Sequence, residues 1–422
     1  MPNRITSVIA EEIYAKRGNL CLEVTVTTDN GGVGVSTPEV GVSTGTYEAK
    51  MLLDGGTRYG GMGVRRAAEV VNTVIGPALI GADVGDQRGI DARMIEMDGT
   101  PDKHKLGANS IVGVSLAVVQ AAASSAGLEL YRYLGGPNAC TLPIPIPGIG
   151  TGGRYRDPGT TRWYKPSYQF VPYGAGSFSG AMEMTWEIIQ QFRAILQERY
   201  GRAVVQAGRY ELANVLKHDS ELLDAMTQAI IAADYEGHCG LYFDCTSDCY
   251  YEADIDRYVG IFGPGEKDVD QMLAQYKEFI ANYPIVSLED ILREDDLEGT
   301  AAFTQELGIE IVGDDFFTTN IERLQAGIEA GACNSMVVKI TQVGTVTEAL
   351  DACELCVTNG YNLHPCGSRG DLSTIGDFAV GLSAGQLRGI DSNRLLKIER
   401  QLGDTAKWPG RRFFKGEKNQ KG

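Results

Sequence analysis

Four short segments decide the fold of this chain: FDCT (243–246), SLEDIL (287–292), VGDD (312–315) and VVKITQVG (337–344). Each contains a charged residue directly after a short apolar run, a pattern typical of a buried strand and the turn that follows it. These charged residues are Asp244, Glu289, Asp314 and Lys339. We therefore predict that all four side chains lie at the ends of consecutive strands.

Carboxylates at neighbouring strand ends form a site for a hard divalent cation such as Mg²⁺, which prefers oxygen ligands. The lysine at the end of the next strand would reach the same place. A metal facing an amine is a known arrangement for removing a proton α to a carboxylate. A single strand-end acid is more often a turn residue, a helix cap or an ion-pair partner. Three such acids in order, followed by a lysine, favour the metal site.

Composition restricts the class of protein. A chain of 422 residues suits one large α/β barrel and a smaller domain. Its formal charge of −17 argues against a general nucleic-acid binder or a protein that binds anionic membranes. No secretory h-region opens the chain, and no apolar run reaches the roughly 18 residues that a membrane span needs. The nine cysteines lack metal-ligand spacing and indicate buried thiols in a reducing cytoplasm.

The first part of the chain predicts a small mixed domain. LCLEVTVTT (20–28) alternates as a strand does, and helical patterns follow at 65–79 and 109–127. The turn YLGGPNAC (133–140) and the proline-spaced LPIPIPGIG (142–150) then predict a linker into a second unit. We place the domains at 1–137 and 138–422.

In the second unit, short apolar strands alternate with helical stretches, among them 179–200 and 267–283. This alternation predicts parallel βα units that close into a barrel, with the active site at the carboxyl ends of the strands. The basic tail GRRFFKGEKNQKG (410–422) is predicted to be solvated.

Over nearly its whole length the chain resembles enolase. Matching segments include GVSTGTYEA (41–49), RYGGMGVRRAAEVVN (58–72), YPIVSLEDILREDD (283–296), VGDDFFTTN (312–320) and CNSMVVKITQVGTVTEAL (333–350). The resemblance implies an enolase-type modified (βα)8 barrel with an N-terminal α+β capping domain, commonly in homodimers or larger assemblies. It also implies that Asp244, Glu289 and Asp314 bind Mg²⁺ and that Lys339 is the base.

By the same resemblance, Ser43 in GVSTG helps to hold a second Mg²⁺ over the substrate phosphate. Ser43 in a glycine-rich turn is also compatible with an ordinary loop residue. Two magnesium ions are therefore expected.

Several loops depart from the enolase pattern. The GDEGG loop, whose glutamate helps protonate the departing hydroxyl, is replaced by VVQAGRYELAN (204–214). The loop histidine of NGGAH becomes Tyr155, and a glutamate is lost to Ser167 or its neighbour in PSYQF. The SHRSGE loop is shortened to CGSRGD but keeps Arg369 as the phosphate ligand, and Arg388 stands where a lysine binds the substrate carboxylate.

The replaced loops are cationic. Arg154, Arg156, Arg162 and Lys165 surround a single acid in one loop, and Arg209 lies in another. Guanidinium groups suit bidentate binding of phosphate, phosphonate and carboxylate oxygens. The loop is also compatible with a solvated charged surface. We predict a substrate site made of these residues: Arg154, Tyr155, Arg156, Arg209, Arg369 and Arg388.

These departures predict a larger anionic second substrate. The chain is similar to carboxyphosphonoenolpyruvate synthase, the enolase-like enzyme of phosphinothricin-type antibiotic biosynthesis. That similarity implies the joining of a nucleotide-activated phosphonoformate to a phosphoglycerate or enolpyruvate unit. Two alternatives stay open: ordinary enolase (phosphopyruvate hydratase), and a non-catalytic protein of enolase fold.

Overall fold

The computed structural model describes residues 3–15, 18–39, 41, 44–153, 155, 165–206, 209–210, 212–213, 215–369, 372–389 and 392–421. It contains an N-terminal α+β unit and a C-terminal barrel.

The N-terminal unit packs helices on one antiparallel sheet with the order β1-β2-β3. Its strands are β1 (Ile5–Tyr14), β2 (Leu20–Thr28) and β3 (Val33–Ser36). Its helices are α1 (Arg65–Val70), α2 (Gly76–Leu79), α3 (Gln87–Asp98), α4 (Ala108–Ser125) and α5 (Leu130–Gly135). A π-helical turn at Val71–Ile75 joins α1 to α2. The predicted strand 20–28 is confirmed, since its alternate apolar side chains are buried against the helices.

Helix α4 is the buried centre of the N-terminal unit. By length and composition it is apolar enough to cross a membrane, contrary to the expectation from sequence, but 83% of it is buried inside the protein. It packs against β2 and β3, so closely that a Cβ on Gly34 would lie 2.0 Å from the Ala117 carbonyl oxygen. The all-round apolar composition is therefore that of a core helix.

The barrel strands form one seven-stranded sheet and a two-stranded closure. The sheet has the order β16-β15-β14-β13-β9-β6-β5, and β17 pairs with β4. A bridge between Cys366 and Arg388 joins β16 to β17. The strands are β4 (Ile144–Ile146), β5 (Gly148–Thr151), β6 (Ser167–Val171), β9 (Gly240–Asp244), β13 (Ile285–Glu289), β14 (Glu310–Gly313), β15 (Ser335–Val338), β16 (Asn362–Pro365) and β17 (Gln386–Arg388).

Short hairpin strands lie outside the barrel: β7 (Val205–Gln206), β8 (Arg209–Tyr210), β10 (Tyr251–Glu252), β11 (Arg257–Val259) and β12 (Glu266–Lys267). The remaining helices are α6 (Phe178–Tyr200), α7 (Ser220–Ala232), α8 (Val269–Asn282), α9 (Leu297–Leu307), α10 (Ile321–Ala330), α11 (Ile340–Val343), α12 (Val346–Thr358), α13 (Leu372–Gly381), α14 (Ser392–Leu402) and α15 (Glu417–Gln420). The expected alternation of strand and helix is thus confirmed from β9 to β17.

Two features of the first barrel strands differ from expectation. Strand β6 runs antiparallel to β9, so the barrel is not built of parallel βα units throughout. The segment LPIPIPGIG is not a linker, because it contains β4 and β5. Prolines lack the N–H that a strand ladder uses, which makes such a short strand look like a loop in sequence.

The C-terminal tail also differs from expectation, because it is packed under the barrel. Phe414 is fully buried among the barrel-interior side chains, including Val286 and Val312. The Phe413 carbonyl accepts a hydrogen bond from Asn362 Nδ2 at 2.8 Å, at the start of β16. The tail therefore closes the amino-terminal end of the barrel, opposite the carboxyl ends of the parallel strands.

Candidate active site

The barrel brings the four predicted side chains to one end. Asp244 and Glu289 are the last residues of β9 and β13 and are paired in register. Asp314 directly follows β14, and Lys339 directly follows β15. All four are buried. Parallel strands align their carboxyl ends, which is why residues far apart in sequence meet here.

The carboxylates are close enough to share a cation. Ligand oxygens of Asp244, Glu289 and Asp290 lie within 4.8 Å of one another, as do those of Asp290, Asp314 and Asp315. Burial and the neighbouring Asp314 raise the pKa of Asp315 to about 6. Burial likewise raises the pKa of Glu289. Buried oxygen donors that repel one another in this way fit a hard divalent ion such as Mg²⁺.

Lys339 contacts one of these acids directly. Its Nζ donates a hydrogen bond to Asp314 Oδ2. Burial alone would lower the pKa of Lys339, but the carboxylate of Asp314 outweighs it and raises that pKa. Burial would raise the pKa of Asp314, and Lys339 and Arg388 bring it below its usual range. Lys339 and Asp314 therefore form a hydrogen-bonded pair within the acidic group.

Gln342 holds this pair in place and was missed in the sequence. Its Nε2 donates to Asp314 Oδ1 at 2.9 Å, and its Oε1 accepts from Thr319 Oγ1 at 2.9 Å. The Lys339 amide donates to the same threonine oxygen at 3.0 Å. The only available sequence signal was its place in VVKITQVG, one helical turn after the lysine.

Arg388 reaches across the barrel to the same acids. Its Nη1 donates to Asp244 Oδ2 at 2.6 Å, and its Nη2 lies 2.8 Å from Glu289 Oε1. The distance from Nη2 to Asp314 Oδ2 is 3.6 Å. Of the predicted substrate residues whose side chains the structure describes, Arg388 is the one placed directly on the acidic group.

Arg369 lies against the N-terminal unit. Its guanidinium makes a bidentate pair with Glu48, with Nη1 to Oε2 at 2.5 Å and Nη2 to Oε1. Glu48 Oε1 also accepts from the Gly45 amide at 3.0 Å and from Gln342 Nε2 at 3.3 Å. Through Glu48, residues near position 45 are connected to both Arg369 and the acid–lysine pair.

Tyr155 is placed on another carboxylate. Its hydroxyl donates to Asp219 Oδ1 at 2.8 Å, while Tyr168 OH donates to Oδ2 at 2.7 Å and the Gly153 amide to Oδ1 at 2.7 Å. Burial and then the charge of Asp219 raise the pKa of Tyr155. This hydrogen bonding engages the tyrosine hydroxyl with a structural acid of the barrel wall.

Four predicted residues have no described side chain. Ser43, Arg154 and Arg156 lie outside the described residues, as does Arg162 of the same cationic loop. The backbone of Arg209 belongs to β8, and its side chain lies outside the described part of the structure. Their predicted roles stay predictions.

Lys165 is a further site residue that sequence reasoning placed only in a charged loop. Lys165 lies two residues before the start of β6, and its Nζ contacts Asp244 Oδ2. The antiparallel register sets Ser167 opposite Asp244, which brings this end of β6 to the acidic group.

Comparisons with known proteins agree over the whole chain. A family model described as "Enolase, N-terminal domain" matches residues 5–134, and one described as "Enolase, C-terminal TIM barrel domain" matches residues 139–417. The enolase of Thermococcus kodakarensis is 41% identical over 429 residues, covering 98% of each chain. The enolase of Methanocaldococcus jannaschii is 40% identical over 422 residues, covering 97% of this chain and 98% of the relative.

These comparisons correct the predicted reaction. The expectation of a carboxyphosphonoenolpyruvate-forming enzyme is wrong, because relatives aligned along nearly the full length are named enolase. That expectation depended on changes in a few loops, which say less about the reaction than the shared remainder of the chain. The predicted enolase-type fold and Mg²⁺ as cofactor are confirmed. The chain, with its N-terminal capping domain and TIM barrel, belongs to the enolase family.

Proposed function

We propose that this protein catalyses the enolase reaction, the Mg²⁺-dependent removal of water from 2-phosphoglycerate to give phosphoenolpyruvate. The observation that carries the proposal is the buried Lys339 amine set among the carboxylates at the barrel mouth. This arrangement suits removal of a proton α to a carboxylate, and the relatives aligned along the chain are named enolase.

Asp244, Glu289 and Asp314 are proposed to hold Mg²⁺, with Ser43 serving a second ion. Bound Mg²⁺ supplies positive charge that offsets the negative charge developing on the substrate carboxylate. Lys339 Nζ takes the C2 proton. Gln342 and Thr319 keep Asp314 and the Lys339 backbone in position, which limits the freedom of the base.

Arg369 and Arg388 are proposed to bind the anionic ends of the substrate, phosphate and carboxylate respectively. Glu48 holds the Arg369 guanidinium and Glu289 holds that of Arg388. These ion pairs fix the orientation of the N–H donors of each arginine at the mouth. Arg154, Arg156 and Arg209 are proposed to contribute to the same anion site, whereas the Tyr155 hydroxyl is engaged by Asp219.

The departing hydroxide needs help that the family's usual glutamate does not provide in this chain. The corresponding segment reads VVQAGRYELAN (204–214). Because general-acid assistance is worth about 10²- to 10⁴-fold, we expect slow turnover unless another group interacts with the leaving oxygen.

A direct assay tests the proposal. Purified protein is incubated with 2-phosphoglycerate and Mg²⁺, and phosphorus NMR follows the formation of phosphoenolpyruvate. We expect Mg²⁺-dependent product from the natural protein and none above background from Lys339→Ala. Absence of product from folded protein that binds Mg²⁺ by calorimetry would contradict the proposed reaction.

We also propose that the protein acts as a cytoplasmic homodimer. Support comes from its described cysteines, most of which are buried, as expected of thiols in a reducing compartment. Exposed apolar side chains on the N-terminal sheet, Ile9, Tyr14 and Val33, offer a surface for association. Light scattering after size-exclusion chromatography measures the mass, and a monomer at micromolar concentration would refute the dimer.

A further inference from the structure

Lys165 is a second buried lysine at the barrel mouth. Its side chain is 13% exposed and its Nζ contacts Asp244 Oδ2. Its backbone is fixed as well, because Tyr250 OH donates to the Lys165 carbonyl oxygen at 2.5 Å. A buried lysine with an anchored backbone is a built feature of the site rather than a mobile surface charge.

The strand order places Lys165 and Lys339 on opposite sides of the acids. Along the sheet, Lys339 follows β15, the three acids end or follow β14, β13 and β9, and Lys165 precedes β6. Three strands therefore separate the two lysines. In a closed barrel this spacing sets the two amines across the mouth from one another.

The need to neutralise the charge of Asp244 does not explain why Lys165 lies at this position. Asp244 Oδ2 already accepts from Arg388 Nη1 at 2.6 Å, and Oδ1 accepts from Thr246 Oγ1 at 2.8 Å. A second cation on the same oxygen adds repulsion from Arg388 and the desolvation cost of a buried charge. A group that is costly for stability is better explained by contact with a ligand.

We infer that Lys165 is a substrate-binding residue that donates a hydrogen bond to a substrate oxygen from the side of the mouth opposite Lys339. The inference rests on the proposed function. An ammonium group has three donors and no acceptor, so its ligand must offer a hydrogen-bond acceptor, and in 2-phosphoglycerate every acceptor is an oxygen. With the base on the other side of the mouth, the proposal places the departing C3 hydroxyl oxygen nearest Lys165.

The role in the reaction follows from the electron flow. The C2–H bond breaks and its proton goes to Lys339 Nζ, while its electrons form the C2–C3 double bond. The C3–O bond breaks and releases hydroxide, which a solvent proton converts to water. Lys165 would stabilise the negative charge growing on that oxygen, a contribution made where the usual family glutamate is missing.

The test compares Lys165→Gln, Lys165→Met and Lys165→Arg with the natural protein. Removing one donor to a developing negative charge typically costs about 10²- to 10³-fold, so we expect kcat/KM for 2-phosphoglycerate to fall about 100-fold in the Gln and Met variants. Lys165→Arg should recover part of this loss. Calorimetry measures Mg²⁺ affinity and, for Mg²⁺-loaded protein that shows no turnover, the binding of 2-phosphoglycerate, which carries the C3 hydroxyl.

Lys103→Gln is the matched control. Lys103 is also buried and ion-paired, with Nζ at 2.8 Å from Glu348 Oε1, but its partner is not one of the barrel acids. Its loss should lower the melting temperature and leave kcat/KM within about twofold for the folded fraction, as expected for a structural ion pair.

The outcomes separate this inference from the proposed function. If the natural protein turns over 2-phosphoglycerate and Lys165→Gln matches it in kcat/KM, the inference is wrong and the proposed function stands. A change in Mg²⁺ affinity alone would also overturn the inference, since Lys165 would then be only a partner of Asp244. If the natural protein is inactive, calorimetric binding of 2-phosphoglycerate to the Mg²⁺-loaded protein decides: tenfold weaker binding by Lys165→Gln supports the inference, and equal binding overturns it.

Discussion

The two sides of the barrel mouth are built differently. On the β14–β15 side, Asp314, Lys339, Gln342 and Glu48 form one connected hydrogen-bonded group that reaches the N-terminal unit. On the β6–β9 side, Asp244 faces the added Lys165. The first side consists of segments that resemble enolase, whereas the second contains the loops that depart from it. The comparison teaches that the proposed base and its supports lie in segments with the enolase pattern, whereas the opposite wall is formed by segments that depart from it.

The largest expected effect is on the β14–β15 side. Lys339→Ala should lower kcat for 2-phosphoglycerate by about 10²- to 10⁴-fold, because the proton acceptor is lost. Steady-state formation of phosphoenolpyruvate measures the change. Lys277→Ala, a change of an exposed lysine paired with Glu306, is the control. Near-normal turnover by Lys339→Ala would place the base elsewhere and break the comparison.

The second largest effect is a loss of Mg²⁺ affinity, expected for Asp244 in the acidic group but not for Asp219, a buried aspartate outside that group. Asp244→Asn should weaken Mg²⁺ binding about 100-fold, since even the outer partners of metal ligands are worth about 10- to 100-fold. Asp219→Asn should leave Mg²⁺ binding unchanged, because Asp219 accepts from Tyr155, Tyr168 and Gly153. Calorimetric titration with Mg²⁺ measures both. Equal losses of Mg²⁺ affinity in the two variants would contradict the assignment of Asp244, rather than Asp219, to the metal site.

A smaller effect is expected for Gln342. Gln342→Leu removes the donor to Asp314 and Glu48 and should lower kcat/KM about 10-fold, the lower end of the range for groups that orient site residues. Gln275→Leu, at a half-buried surface glutamine whose Nε2 donates to Glu278, is the control. If Gln342→Leu behaves like this control, the support of the base does not depend on the connection to the N-terminal unit.

The smallest effect is expected for Tyr155. Tyr155→Phe removes one hydrogen bond to Asp219 and should lower the free energy of unfolding by about 1 kcal/mol. We expect kcat/KM to change less than twofold, because the Tyr155 hydroxyl donates to Asp219 and not to the acidic group at the barrel mouth. Urea unfolding and steady-state kinetics measure the two quantities. A tenfold loss of kcat/KM would instead support the substrate role predicted from sequence.

Sequence reasoning found the residues whose position follows from strand periodicity. Asp244, Glu289, Asp314 and Lys339 each come directly after apolar runs, and aligned strand ends bring such residues together. Gln342 was missed because its role depends on contacts with Thr319 and Glu48, which are distant in sequence. No local pattern carries that information.

Elements with unusual local composition were also misjudged. Strand β4 contains proline, and the basic tail hides one buried aromatic, Phe414, among charged residues. In both cases tertiary packing outweighs local preference. The predicted reaction was wrong for a related reason, because changes in a few loop motifs say less about the reaction than likeness along the rest of the chain.

The position of Phe414 has a consequence for biosynthesis. The barrel floor receives this side chain from a segment that follows every barrel strand in sequence, so the interior of the barrel is incomplete until residue 414 has been synthesised. A stop codon at position 410 would release a protein that keeps every proposed catalytic group but leaves the amino-terminal end of the barrel unfilled.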